Sequence, residues 1–250
     1  MSALRALTVS EARLFLREPA SVFFALAFPT VLLLGIGLVI PGMRDVITDP
    51  GVAAGLRPID IYLPVVLALA IATTAITILP PTFAIYREKG VLRRLSTTPM
   101  PASRLLVADI LVNAVALVAG VVIALVTAVV VFDIAAPTQP ALVAGVFLLG
   151  AVQMMALGCL IAAVVPNAGS ASAVSMSLYF PMLFFAGVWT PGPIMSDTLA
   201  RIATYVPLGS VAQGLTEGWI GAGVPWLQIA VMTAWTVVLV PLATRLFRWS

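Results

Sequence analysis

Charges are so widely spaced along this chain that the gaps between them form its main pattern. Residues 19–43 and 61–86 contain none, 105–132 contain only Asp109, and the sixty-three residues between Asp133 and Asp197 contain none. A bilayer core about 30 Å thick is crossed by roughly 20 helical residues, so each gap predicts at least one membrane span. The longest gap holds two, divided by the turn formers Pro166-Asn167-Ala168-Gly169-Ser170. With a final apolar run, the pattern predicts six spans near 20–40, 61–86, 105–132, 141–165, 171–189 and 226–244. Hydrocarbon offers no partners for backbone N–H and C=O groups, so each span must be a helix that closes its own hydrogen bonds. The expectation is an all-α membrane protein, one transmembrane domain over residues 1–250.

Two stretches are amphipathic instead. Ser10, Arg13 and Arg17 share one helical face and Leu4, Leu7, Leu14 and Phe15 another, predicting an N-terminal helix along the membrane surface. Glu11 and Glu18 fall inside its apolar arc. The apolar run that follows is too long for the core of a cleaved signal. Between spans five and six, Leu199, Ile202, Ala203 and Val206 form one apolar stripe, and Val211, Leu215 and Trp219 form a second after Pro207. Asp197 and Arg201 are spaced to pair at i, i+4. Two short re-entrant helices are expected here, the alternative being two helices lying on the outer surface.

Charge sets the orientation. Placing both termini inside puts ten of the thirteen basic residues in the cytoplasm: Arg5, Arg13, Arg17, Arg87, Lys89, Arg93, Arg94, Arg104, Arg245 and Arg248. Arg44, Arg57 and Arg201 lie outside with Asp45, Asp49, Asp60, Asp133, Asp197 and Glu217. Short loops rich in Lys and Arg stay cytoplasmic, so both termini are expected inside, in the plasma or inner membrane of the cell. The chain is 62% hydrophobic and 9% charged, with net charge +3; a soluble domain is nearer 25% charged. The positive charge gathers at membrane edges rather than on a solvated face, so no nucleic-acid partner is expected. Histidine is absent, which removes imidazole bases and ligands, and the single Cys159 sits in an apolar run with no thiol to pair with. No metal site is expected. The only lysine, Lys89, lies outside any phosphate-binding G-x-x-x-x-G-K-[ST] motif, so the chain is not expected to hydrolyse ATP.

Two local patterns then resemble a known family. Glu88-Lys89-Gly90-Val91-Leu92-Arg93-Arg94-Leu95, followed by Pro99, is similar to the coupling loop of ABC-2 type transporter permeases, a family that includes daunorubicin-resistance and polysaccharide-export proteins. The run from Leu183 through Ala186, Gly187 and Trp189 to Pro191, followed by Tyr205, Val206 and Pro207, resembles the fifth-span exit of the same family. Ala186 and Glu217 depart from it, where the family often has Ser and Arg. The resemblance implies an exporter permease subunit working as a homodimer, or with a close homologue, on two copies of a separate ATPase subunit. ATP and Mg2+ would bind that partner, and this chain would hold no cofactor.

Candidate residues follow. Read as a helix, residues 88–95 place Val91, Leu92 and Leu95 on one flank and Lys89, Arg93 and Arg94 elsewhere; by resemblance this is a coupling helix, with Glu88, Lys89, Gly90, Leu92, Arg93 and Arg94 touching the ATPase. The plainer reading is that the basic residues only hold the loop inside. Ser172, Ser175, Tyr179 and Met182 recur at helical spacing in span five, and Thr73 and Thr77 stand one turn apart in span two, above Pro80-Pro81. They suit a path for a drug-like, natural-product or lipid-linked molecule, and equally a polar seam between helices. The resemblance makes Gly187, Pro191, Pro207 and Glu217 an external gate. Asp109 and Asn113, one turn apart in span three, fit a proton relay or an interfacial carboxylate near Arg104. An ion-coupled transporter would want internal repeats and paired intramembrane charges, and an intramembrane enzyme would want clustered acids, His or Cys; neither pattern is present.

Overall fold

The computed structural model describes residues 3–48, 54–91, 103–190 and 195–246, and these contain helices and turns but no strand. In chain order the helices are α1 (Ala3–Leu16), α2 (Pro19–Val39), α3 (Pro58–Glu88), α4 (Ser103–Phe132), α5 (Pro140–Val164), α6 (Ala168–Phe185), α7 (Asp197–Tyr205), α8 (Pro207–Ile220) and α9 (Trp226–Leu246). Six of them, α2 to α6 and α9, are long and apolar enough to cross a membrane. Prolines open α2, α3, α5 and α8, at a position whose N–H has no intrahelical partner.

The largest boundary error is in the fifth span, expected over 171–189 but found at Ala168–Phe185. Asn167 caps its start, its side-chain oxygen accepting from Ser170 N at 2.8 Å. Its end is fixed by Gly187 at φ 86°: Gly187 N donates to Phe184 O and Val188 N to Leu183 O. That pair of bonds, with a left-handed glycine, stops a helix.

α3 is apolar on every side and is the centre of the bundle. α2, α4, α5, α6 and α8 pack around it, and Leu63, Leu67, Ile71, Ile76 and Phe83 are fully buried. The outer faces of α4 and α9 present Val115, Val122 and Val126, and Leu227, Val237 and Val238, as a lipid-compatible surface. α8 is enclosed by α3, α5 and α9, with Leu208, Val211 and Leu215 at 0% exposure. α7 leaves Ile202 and Tyr205 exposed. The expected Asp197–Arg201 pair does not close; both line an open cavity.

Two helices widen at one point. α2 has a π-helical turn at Phe23–Ala27 and α3 has one at Thr73–Ile78. A proline ring crowds the carbonyl four residues earlier; for Pro29 that is Ala25 and for Pro80 it is Ile76, inside the two wide turns. Each turn directs a carbonyl at a glycine on the neighbouring helix. A Cβ on Gly120 would stand 2.1 Å from Ala25 O, and one on Gly158 would stand 2.0 Å from Ala75 O. Backbone therefore meets backbone where α2 crosses α4 and where α3 crosses α5.

At the end of the bundle away from the termini, Arg57 ties α3 to α4. Its guanidinium bonds Asp60 at 2.8 and 3.0 Å and donates to Phe132 O at 2.7 Å and Asp133 O at 3.1 Å. Those hydrogen bonds to Asp60, helped by the charges of Asp60 and Asp133, hold the guanidinium pKa above its ordinary value against the opposing effect of burial. Arg57→Met should lower the thermal unfolding midpoint in detergent, since a hydrogen bond to a charged group contributes about 1.5–3 kcal/mol. An unchanged midpoint would show that the tie contributes nothing.

Candidate functional site

At the end bearing the termini, α3 finishes with Arg87 and Glu88, and the turn between α5 and α6 lies beside it. The last carbonyls of a helix and the first N–H groups of the next lack intrahelical partners, and the helix dipole makes the former negative and the latter positive. Both ends are met by the fitting charge. Arg87 donates to Val165 O and, at 3.1 Å, to Ala162 O at the end of α5. Glu88 Oε1 accepts from Ala168 N at 2.9 Å at the start of α6. Two consecutive residues of the central helix thus clamp the turn joining two other spans.

The expected coupling helix does not begin at Glu88: Glu88 completes the span-two helix, Lys89 follows as its cap, and Gly90 takes φ 64°. The carboxylate of Glu88 is used within the chain. Lys89 is exposed, while Leu92, Arg93 and Arg94 lie outside the described residues. Arg87 was not among the candidates; the signal for it was the helix-stop and helix-start pattern at 165–168, which calls for charge at both ends.

Next to the clamp, α1 packs on α4. Glu11, which looked misplaced in the apolar arc, points into the protein at 5% exposure and accepts a hydrogen bond from Tyr86 at 2.5 Å. Burial raises its pKa, and the Tyr86 bond partly offsets that. The outer face of α1 instead shows Val9 and Leu16. Asp109 does not sit with Arg104: five residues turn a helix by about 140° beyond one revolution, and Asp109 is 5% exposed while Arg104 is exposed.

Of the expected path residues, Thr73, Ser175, Tyr179 and Met182 are buried, Thr77 is half-buried and Ser172 is exposed. Thr73 gives its proton to Leu69 O, so Tyr179 donates to Thr73 Oγ1, at 2.7 Å. Within one copy these side chains join the wide turn of α3 to α6. The opposite face of α6, with Met176, Ser177, Phe180 and Phe184, is open.

At the other end, Gly187 stops α6 and Pro207 starts α8, while Pro191 lies outside the described residues. Glu217 accepts from Gly223 N at 3.1 Å and borders a cavity of about 720 Å³ with Asp197, Arg201, Gln213 and Gln228.

Two comparisons bear on this arrangement. Residues 2–218 match the model of the ABC-2 type transporter family. A Bacillus subtilis (strain 168) protein named as a transport permease, YvfS, is 24% identical over 163 residues, which cover 65% of this chain and 66% of that protein. Matched through all but its last span, and built on six apolar helices, this chain is a multi-pass membrane protein that belongs to the ABC-2 type transporter family.

Proposed function

We propose that this chain is the permease subunit of an ATP-driven exporter for hydrophobic or amphipathic molecules. The clamp of Arg87 and Glu88 on the α5–α6 turn carries the reading. Residues 92–102 continue directly from that corner, so a push on the loop reaches α3, α5 and α6 together. In this reading the termini and the loop face the cytoplasm, residues 88–95 meet a separate ATPase subunit, and ATP with Mg2+ binds there. Two permease copies and two ATPase copies assemble, all of 1–250 forming one transmembrane domain.

The path is proposed to run between the two copies along the open face of α6, the least apolar of the six spans. Ser172, exposed one turn before Met176, and the half-buried Thr77 supply hydroxyls to it in this reading, while Thr73, Ser175, Tyr179 and Met182 support it from behind. The gate at the far end consists of α7 and α8 as a re-entrant pair, with Gly187, Pro191 and Pro207 as joints and Glu217 at the cavity. The burial of the apolar face of α8 favours this over two helices lying on the surface.

The test is reconstitution in liposomes with an ATPase subunit that co-purifies with the chain. A fluorescent amphipathic compound should move only when hydrolysable ATP is present. Uphill transport by the chain alone, driven by a proton gradient, would instead establish the ion-coupled reading.

A further inference from the structure

Between α1, α3 and α4, near the clamp, lies a cavity of about 210 Å³. Three carboxylates border it, from Glu11 on α1, Glu18 beyond it and Asp109 on α4. The hydroxyl protons around it are already given away: Tyr86 donates to Glu11, Ser21 to Glu18 at 2.9 Å, and Thr82 to Ile78 O at 2.9 Å. Asn113 gives one of its two amide N–H groups to Asp109 O at 3.0 Å. The groups left without a partner are acceptors. Asp109 Oδ2 and Asn113 Oδ1, on side chains 5% and 2% exposed, have no hydrogen-bond partner. Lys89 stands at the rim but forms no ion pair with any of the three; among the described residues the ion pair is Arg57–Asp60.

A buried acceptor without a donor is costly, and buried carboxylates need opposite charge. Water supplies donors without charge. A bare metal ion does not suit the site, because no three carboxylates among the described residues are grouped to hold one. A primary ammonium supplies both needs, with one positive charge and three N–H donors. Leu14, Phe15, Ile78 and Ile85 form the apolar part of the lining, which suits a hydrocarbon chain attached to that head.

We propose that this cavity binds the primary ammonium group of an amphipathic molecule, the head seated on Asp109 Oδ2 and Asn113 Oδ1 and the tail against Leu14 and Phe15. The headgroup of an aminophospholipid and a free long-chain amine share this chemistry.

The experiment uses the full chain in phosphatidylglycerol nanodiscs, titrated calorimetrically with n-octylamine and with octyltrimethylammonium, which has the same charge and no N–H. Octylamine should bind saturably and about tenfold more tightly than its trimethyl analogue, and Asp109→Asn should remove that preference. Glu18→Gln, at an exposed rim position, keeps the test open if the Asp109 variant does not fold, and should weaken octylamine about threefold. Equal binding of the two amines, or binding unchanged by both variants, overturns the proposal. Exchanging part of the lipid for phosphatidylethanolamine separates the sources: weaker octylamine binding marks the headgroup as occupant, and unchanged binding marks a free amine. The readout is binding, so it stands apart from whether the chain transports with an ATPase.

Discussion

Gly158→Ala is expected to yield little monodisperse protein, whereas Gly145→Ala in the same helix should fold at least as well as the parent. Replacing a helical glycine with alanine ordinarily stabilises by up to about 1 kcal/mol, and Gly145, with nothing within 4 Å of a new Cβ, should show that gain. At Gly158 the new methyl would stand 2.0 Å from Ala75 O, in the wide turn of the central helix. Backbone cannot turn aside as a side chain can, so α3 and α5 must move apart by about 1 Å, undoing close packing along the contact. Overpacking costs about 1–3 kcal/mol or more, which outweighs the helix gain. Size-exclusion profiles and thermal midpoints in detergent check this. Equal midpoints for the two variants would mean that the crossing is looser than described.

The second large effect is expected from Glu88→Arg. It sets a positive charge against the positive end of α6 and removes the carboxylate that accepts from Ala168 N. The Glu88 bond is exposed, so its loss and the reversed charge at the start of α6 together cost about 1–2 kcal/mol, roughly a factor of ten in any equilibrium the clamp controls. In complex with the ATPase subunit proposed above, the variant should insert and fold, retain basal ATP turnover and lose cargo stimulation with transport about tenfold lower. Arg87→Ala should act in the same direction through Val165 and Ala162. Undiminished cargo stimulation in both variants would reject the clamp as the transmitting element.

The frame was legible because a charge-free run of 25 or more residues admits one solution in lipid; the starts at Pro58 and Pro140 lay slightly ahead of the 61 and 141 that the apolar runs indicated. The stripe Val211, Leu215, Trp219 was also legible as a helix, though the stripe alone did not reveal that the protein encloses it. The site was harder to read. Glu11 violated the amphipathic pattern of α1, and only the distant Tyr86 explains why. Glu88 was read outward, toward a partner, because its acceptor role depends on Ala168, eighty residues away. The wide turns escape pattern reading because apolar residues surround them on all sides and leave no phase to measure.

That hidden phase has a consequence. A π turn holds about one residue more than an α turn, and one residue is about 100° of rotation. The stretch Thr73–Ile78 therefore acts as an indexing notch for everything that follows it on α3. Cut one residue from the notch, and it closes to an α turn with Arg87 and Glu88 still facing Val165 and Ala168; cut one from the α-helical stretch after it, and both swing by about 100° with no residue at the corner altered.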